Sequence, residues 1–163
     1  LFRIFDEFER AYGHLTERET DSLEVQRPPE DLVVAGDRQL LKQCFVNLVE
    51  NAVLSSRETG VDPVHVRLKA VVVAEHVEIW VEDNGPGIAA QRRERVFEPY
   101  ESTRRQGTGL GLAITKKIIL DHAGEVRVDD SELGGAAFVI RLPIEPRGPV
   151  AMLASAEVRR QSK

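Results

Sequence analysis

Apolar residues recur every three or four positions in some stretches of the chain and alternate with polar ones in others. Phe2, Phe5, Phe8, Tyr12 and Leu15 follow the helical period and predict an amphipathic helix over residues 2–18. Its aromatic stripe either packs on a core or continues a longer helix from upstream. Leu23-Glu24-Val25 and Leu32-Val33-Val34 are short strand candidates around Pro28-Pro29. Asp37 can cap a helix that runs to about Arg57, with Leu41, Cys44, Phe45, Leu48 and Ala52 as its buried stripe. Thr59 to Pro63 then breaks the pattern.

Strict alternation follows. Val64, Val66, Leu68, Ala70 and Val72 alternate with His65, Arg67 and Lys69, and Val77, Ile79 and Val81 with Glu78, Trp80 and Glu82. The short link near Ala74-Glu75-His76 predicts an antiparallel hairpin. A helical turn is expected around residues 91–96, and residues 98–109 have no clean period. Residues 110–122 predict a helix with Leu112, Ile114, Ile118 and Ile119 on its apolar side. Val126 and Val128 form one more strand, and Phe138, Ile140 and Leu142 another, joined by a turn at Gly134-Gly135. From Ile144, prolines and a basic end read as a loose tail. Period-2 strands have one face to bury, and the helices must cover it. The expected fold is α+β: a two-layer α/β sandwich with a mixed, mostly antiparallel sheet covered on one face by helices.

Composition narrows the function classes. The chain has 163 residues and a net charge of −5, without the basic stripe of a nucleic-acid binder. The single cysteine, Cys44, excludes an internal disulfide and a multi-cysteine zinc site, and points to a reducing, cytoplasmic compartment. No apolar run approaches membrane-spanning length, so no direct membrane contact is expected. The chain opens on Leu1 and reads as a piece of a longer protein.

Three polar features could carry chemistry. Asn47 and Asn51 are four residues apart, so their amides share a helix face. Such a row is usually a solvated face, yet a carboxamide oxygen also suits Mg²⁺, which takes few protein ligands beside phosphates and water. Glu50 is rotated about 100° from Asn51 and is the weaker member. Asp83 has the parity of Val77, Ile79 and Val81, so it points to the covered face and needs a partner there: an adenine amino group, a backbone N–H or a water. The loop Gly85-Pro86-Gly87 follows and is either a plain turn or backbone on which a flat ring could lie. Gly107-Thr108-Gly109-Leu110-Gly111-Leu112 runs into a helix, whose N-terminus offers free N–H groups to an anion. Arg104 and Arg105 lie just before it and could reach a γ-phosphate from a mobile loop hinged at Phe97, Pro99 and Tyr100. His14, His65, His76 and His122 all read as surface, with His122 a cation suited to its helix's C-terminus.

These motifs, in this order, resemble the catalytic ATP-binding domain of bacterial two-component sensor histidine kinases, which shares the Bergerat-type fold with type II topoisomerases and heat-shock chaperone ATPases. Asp37 through Gln43, Asn47-Leu48 and Asn51-Ala52 resemble the N box. Asp83-x-Gly85-x-Gly87-Ile88 resembles the G1 box, Phe97-Glu98-Pro99-Tyr100 the F box, and Gly107 through Ala113 the G2 box. The run from Glu98 to Arg104 is similar to the nitrogen-regulation branch.

The resemblance implies ATP and Mg²⁺ as cofactors. It implies that Asn51 ligates the metal, Asn47 lines the phosphate site, and Arg104 and Thr103 belong to a lid. Asp83 would bind the adenine amino group, Gly85, Gly87 and Ile88 would shape the base pocket, and Gly107, Thr108, Gly109, Leu110, Gly111 and Leu112 would bracket the phosphates. The family's ATPases have a water-activating glutamate where this chain has Asn47. An amide cannot take that proton, which favours transfer to a protein side chain over hydrolysis. The implied partners are a histidine-bearing dimerisation domain upstream and a response regulator, with a homodimer for the full-length protein and room elsewhere in it for a membrane anchor. Residues 1–22 would be the remnant of the link to that domain, 23–143 the ATP-binding domain and 144–163 the tail.

Two departures stand out. Leu54 and Ser55 occupy positions where many kinases carry a lysine and an aromatic, so a basic contact is missing or comes from Arg57 or Arg104. No phosphoacceptor motif is present. A nucleotide-sensing module without transfer, or a serine kinase acting on a regulator protein, are the competing expectations.

Overall fold

The computed structural model describes residues 1–12, 21–101 and 109–145. The elements run α1 (Phe2–Tyr12), β1 (Ser22–Gln26), α2 (Arg38–Glu58), β2 (His65–Val73), β3 (His76–Asp83), α3 (Gly111–Asp121), β4 (Glu125–Asp130) and β5 (Ala136–Pro143), with two single 3₁₀ turns, Ala90–Arg92 and Arg95–Phe97, before α3. The five strands form one sheet in the order β1-β2-β3-β5-β4. Only β1–β2 is parallel. The expected two-layer α+β architecture is therefore the observed one.

Register explains the core. Leu68, Val81, Phe138 and Val128 are direct neighbours across β2, β3, β5 and β4. All four are buried and face the helices. Leu41, Cys44, Phe45, Leu48 and Ala52 of α2 close over them, as expected, and are also buried. From α1, Phe5 sets its ring edge-on to Phe45 at 5.5 Å, and it and Phe8 are fully buried. Burying side chains of this size stabilises by roughly 1.5–3 kcal/mol each. Asp37 caps α2 by accepting from the N–H groups of Gln39 and Leu40 at 2.8 and 3.0 Å, an arrangement worth about 1 kcal/mol.

Four local expectations change. The first helix is described only to Tyr12, and Leu15 lies outside the described residues. Leu32-Val33-Val34 is not a strand: Val34 makes an isolated bridge to Ile144, and Glu145 N–H donates to Val33 O at 2.9 Å. The chain is thus still tied to the fold through the first two residues of the expected tail, Ile144 and Glu145. In α3, Ile114 is 53% exposed while Thr115 is buried, because the helix turns a polar residue toward α2. His122 is not a cation at a helix end. Asp37 N–H donates to its Nε2 at 2.9 Å, so that nitrogen bears no proton, and Nδ1 must donate to Ile118 O at 2.7 Å. The ring is a neutral pin between the end of α3 and the start of α2. Gly36 makes room for it: a Cβ there would lie 2.2 Å from the ring. Among the described residues, no helix is long and apolar enough to cross a membrane.

Candidate functional site

The polar face of α2, the end of β3 and the start of α3 meet around one cavity of about 810 Å³, large enough for a small organic ligand. Asn47 and Asn51 line it from α2. Helical spacing puts them on one face, and the sheet-facing stripe opposite orients that face. Asp83, Gly87 and Ile88 line it from the end of β3 and the following loop, and Gly109, Gly111 and Leu112 from the other side.

Asp83 is 4% exposed and stands beside Val66 in the row facing the helices. Its Oδ1 accepts from Gly85 N–H at 2.8 Å and from Ala136 N–H at 3.1 Å. No lysine or arginine pairs with it among the described residues. Burial raises its carboxyl above the usual range, and the two backbone N–H groups oppose that shift. The backbone around it is packed to the limit. A Cβ on Gly135 would lie 2.2 Å from Asp83 Oδ1, and one on Gly85 2.6 Å from Ser56 Oγ. Gly87 has φ +71°, a conformation that favours glycine.

On the opposite wall, α3 begins at Gly111, and the side chain of its N-cap residue, Leu110, makes no capping hydrogen bond. The first N–H groups of such a helix suit an anion. Tyr100 N–H donates to Gly109 O at 3.0 Å, so the chain leaves and re-enters this wall at one point. Phe97 anchors that point, its ring edge-on to Phe138 at 6.1 Å. Tyr100 is 79% exposed and packs on nothing comparable.

Of the residues singled out from sequence, Asn47, Asn51, Asp83, Gly87, Ile88, Gly109, Gly111 and Leu112 share this cavity. Gly85 does not reach its surface and instead backs Asp83 against Ser56. Leu110 is also absent from the wall. Thr103, Arg104, Gly107 and Thr108 lie outside the described residues. Arg57 is no substitute cation, because it is spent on Asp21 at 3.0 Å. Glu50 does line the cavity, against the helical-wheel argument, because the cavity runs along α2 as far as Thr59 and takes in more than one face. Sequence reasoning missed Arg92 and Glu101, which line the mouth with their charged groups 3.7 Å apart. Their segment has no period to read.

The lining carries the carboxylates of Asp83, Glu50, Glu58 and Glu101 against one guanidinium, Arg92, among the described residues. A polyphosphate needs more positive charge than that. A divalent cation fits the available donors: carboxamide oxygens of Asn47 and Asn51, with Glu50 near them on the same helix. No cluster of three or more His, Cys, Asp or Glu side chains among the described residues forms a cage of its own, so such an ion would arrive with phosphate oxygens as ligands.

Known proteins resemble this chain in the same region. Residues 36–146 match the family described as histidine kinase-, DNA gyrase B-, and HSP90-like ATPase. The C4-dicarboxylate transport sensor protein DctB of Rhizobium meliloti is 35% identical over 122 residues, which cover 75% of this chain and 19% of that protein. The nitrogen regulation protein NtrY of Azorhizobium caulinodans is 36% identical over 126 residues, covering 76% of this chain and 16% of that one. The chain therefore spans less than a fifth of the length of these relatives. The histidine kinase ThkA, solved in complex with the response regulator protein TrrA, superposes with a TM-score of 0.73 at 25% identity, covering 90% of this chain and 41% of that one. The match takes in the capped helix, the inward carboxylate and the glycine-led helix start alike, and the chain belongs to the histidine kinase-, DNA gyrase B- and HSP90-like ATPase family.

Proposed function

We propose that this chain is the ATP-binding catalytic domain of a cytoplasmic sensor histidine kinase region. It would bind Mg·ATP and deliver the γ-phosphoryl group to a histidine on a dimerisation domain elsewhere in the protein. The observation that carries this reading is the convergence of Asn51, Asp83 and the start of α3 on one cavity. Asp83 has no cationic partner among the described residues, and its backbone bonds both go to Oδ1. It is suited to accept from the amino group of an adenine lying over Gly87. The phosphates would then run toward Gly109 and Gly111, with Asn51 and Asn47 presenting amide oxygens to the metal. Bound Mg²⁺ would neutralise phosphate charge that Arg92 alone cannot. Thr103 and Arg104 would belong to a lid, and Gly107 and Thr108 would help bracket the phosphates, as the resemblance implies.

In the transfer, the bond from the γ-phosphorus to the bridging oxygen breaks and a bond to an imidazole nitrogen forms, with ADP leaving. Catalysis of this kind is mostly positioning and charge neutralisation. Asn47 cannot act as a base toward water, which favours a protein acceptor over hydrolysis. A relative named as a sensor protein and a neighbour solved with a response regulator support a two-component partner set, and a dimer of the full-length protein is part of the same proposal.

The test is to incubate the chain with γ-labelled ATP, Mg²⁺ and a separately supplied histidine-bearing acceptor domain. Label on the acceptor that is lost in acid is expected. Acid-stable label would indicate a serine kinase, and tight nucleotide binding without label a sensing module.

A further inference from the structure

Asn47 is held as well as placed. Its Nδ2 donates to Thr115 Oγ1 at 2.8 Å, and Thr115 is 1% exposed on the second turn of α3. Gly111 flanks the same amide. A Cβ there would lie 2.4 Å from Asn47 Oδ1 and 3.0 Å from Nδ2. The amide therefore sits in a slot between α2 and the first turns of α3, and the slot exists because residue 111 has no side chain.

An amide has two chemically opposite ends, and a hydroxyl can serve either. What decides between them is where the hydroxyl sends its own proton. Cys44 and Thr115 line one small cavity with Asn47 and Gly111, and the Thr115 hydroxyl works against the rise of the thiol, the sense of a proton turned toward sulfur. Burial pushes the Cys44 thiol up to about 11, so it brings no charge to the slot near neutral pH. With the hydroxyl proton turned toward sulfur, its lone pair faces Asn47 and takes the amide N–H. The carboxamide oxygen is then the end left for the cavity.

Building on the nucleotide reading of that cavity, we propose that Thr115 is a positioning residue. It locks the Asn47 carboxamide so that oxygen, rather than nitrogen, faces the phosphate end. An oxygen attracts a hard cation and repels a bare phosphate, and a nitrogen does the reverse. Thr115 thus biases the site toward metal-bound nucleotide over metal-free nucleotide without touching either.

Calorimetric titration of the 163-residue chain with AMPPNP, with excess Mg²⁺ and with EDTA, tests this. In Thr115→Val the affinity for Mg·AMPPNP is expected to fall about tenfold, as for other residues that orient metal-facing ligands. Affinity for metal-free AMPPNP should hold or improve, and Thr115→Ser should restore the unaltered behaviour. An equal loss under both conditions, or none, overturns the proposal while leaving the nucleotide site standing. No binding by the unaltered chain under either condition overturns the nucleotide reading itself, and this proposal with it. A measurement independent of any variant is proton exchange at the Asn47 side-chain amide by NMR. One of its two protons should be protected, and fast, equal exchange of both overturns the assignment.

Discussion

Glu82 and Asp83 are consecutive residues, both buried, on opposite faces of β3. Glu82 is 0% exposed on the face without helices. Lys69 Nζ lies 3.0 Å from it and an Arg67 nitrogen 3.5 Å, and the backbone N–H of Glu132 donates to its Oε1 at 3.2 Å. Trp80, two residues before Glu82 on the same face of the strand, has Lys69 and Arg127 over its ring. This face is a charge ladder that pairs its own acid with two cations. Asp83, on the covered face, has backbone N–H groups and no cation among the described residues. A carboxylate buried next to two cations has finished its work inside the fold. One buried without them carries a larger desolvation penalty and keeps room to accept from a donor outside the fold.

The largest expected effect separates binding from stability. Asp83→Asn should weaken ATP binding roughly 100-fold, about 2.7 kcal/mol, by replacing a charged acceptor with an amide. Its thermal midpoint should hold or rise, because the buried charge is gone. A parallel drop in midpoint and affinity would show Asp83 to be as structural as Glu82. The reverse pattern is expected next. Glu82→Ala should cost about 2 kcal/mol in denaturant unfolding by stranding Lys69 and Arg67, while ATP affinity stays within about twofold. A large binding loss there would mean the two faces are coupled.

The smallest effect is in pH. Burial holds the Asp83 carboxyl above its ordinary value of 3.8 in the folded chain. The folded state therefore binds this proton more tightly than the unfolded state. This contribution to stability is fully present below the ordinary value and is lost as pH rises through the raised one. The stability difference between Asp83→Asn and the unaltered chain, both free of nucleotide, should accordingly grow with pH across that window and then level off. A flat difference would place Asp83 in a solvated setting.

The helix over residues 38–58 and the five strands were legible because period and burial coincide there, whereas the 32–34 segment has an apolar run but no strand. The parity of Asp83 with Val81 alone puts it on the covered face, where it is buried. Where side-chain chemistry cuts across period, sequence reading failed. Thr115, at a position that helical apolarity gives to Ile114, is buried with its hydroxyl accepting from Asn47 across the helix interface. His122 is neutral because Asp37 N–H, 85 residues away, occupies one of its nitrogens. Glu82 alternates like a solvent-facing residue, yet is closed over by Lys69 and Arg67 from the neighbouring strand.

By itself, the sequence determined most of the kinds of element, the face each strand residue takes and which polar groups were candidates for chemistry. These follow from local periods and from the chemistry of single side chains. Only the tertiary structure decided that α2, the end of β3 and the start of α3 enclose a common cavity, that Arg92 and Glu101 stand at its mouth, and that Asn47 is gripped by Thr115. These depend on register and on the packing of one helix against another, over separations that no local pattern encodes.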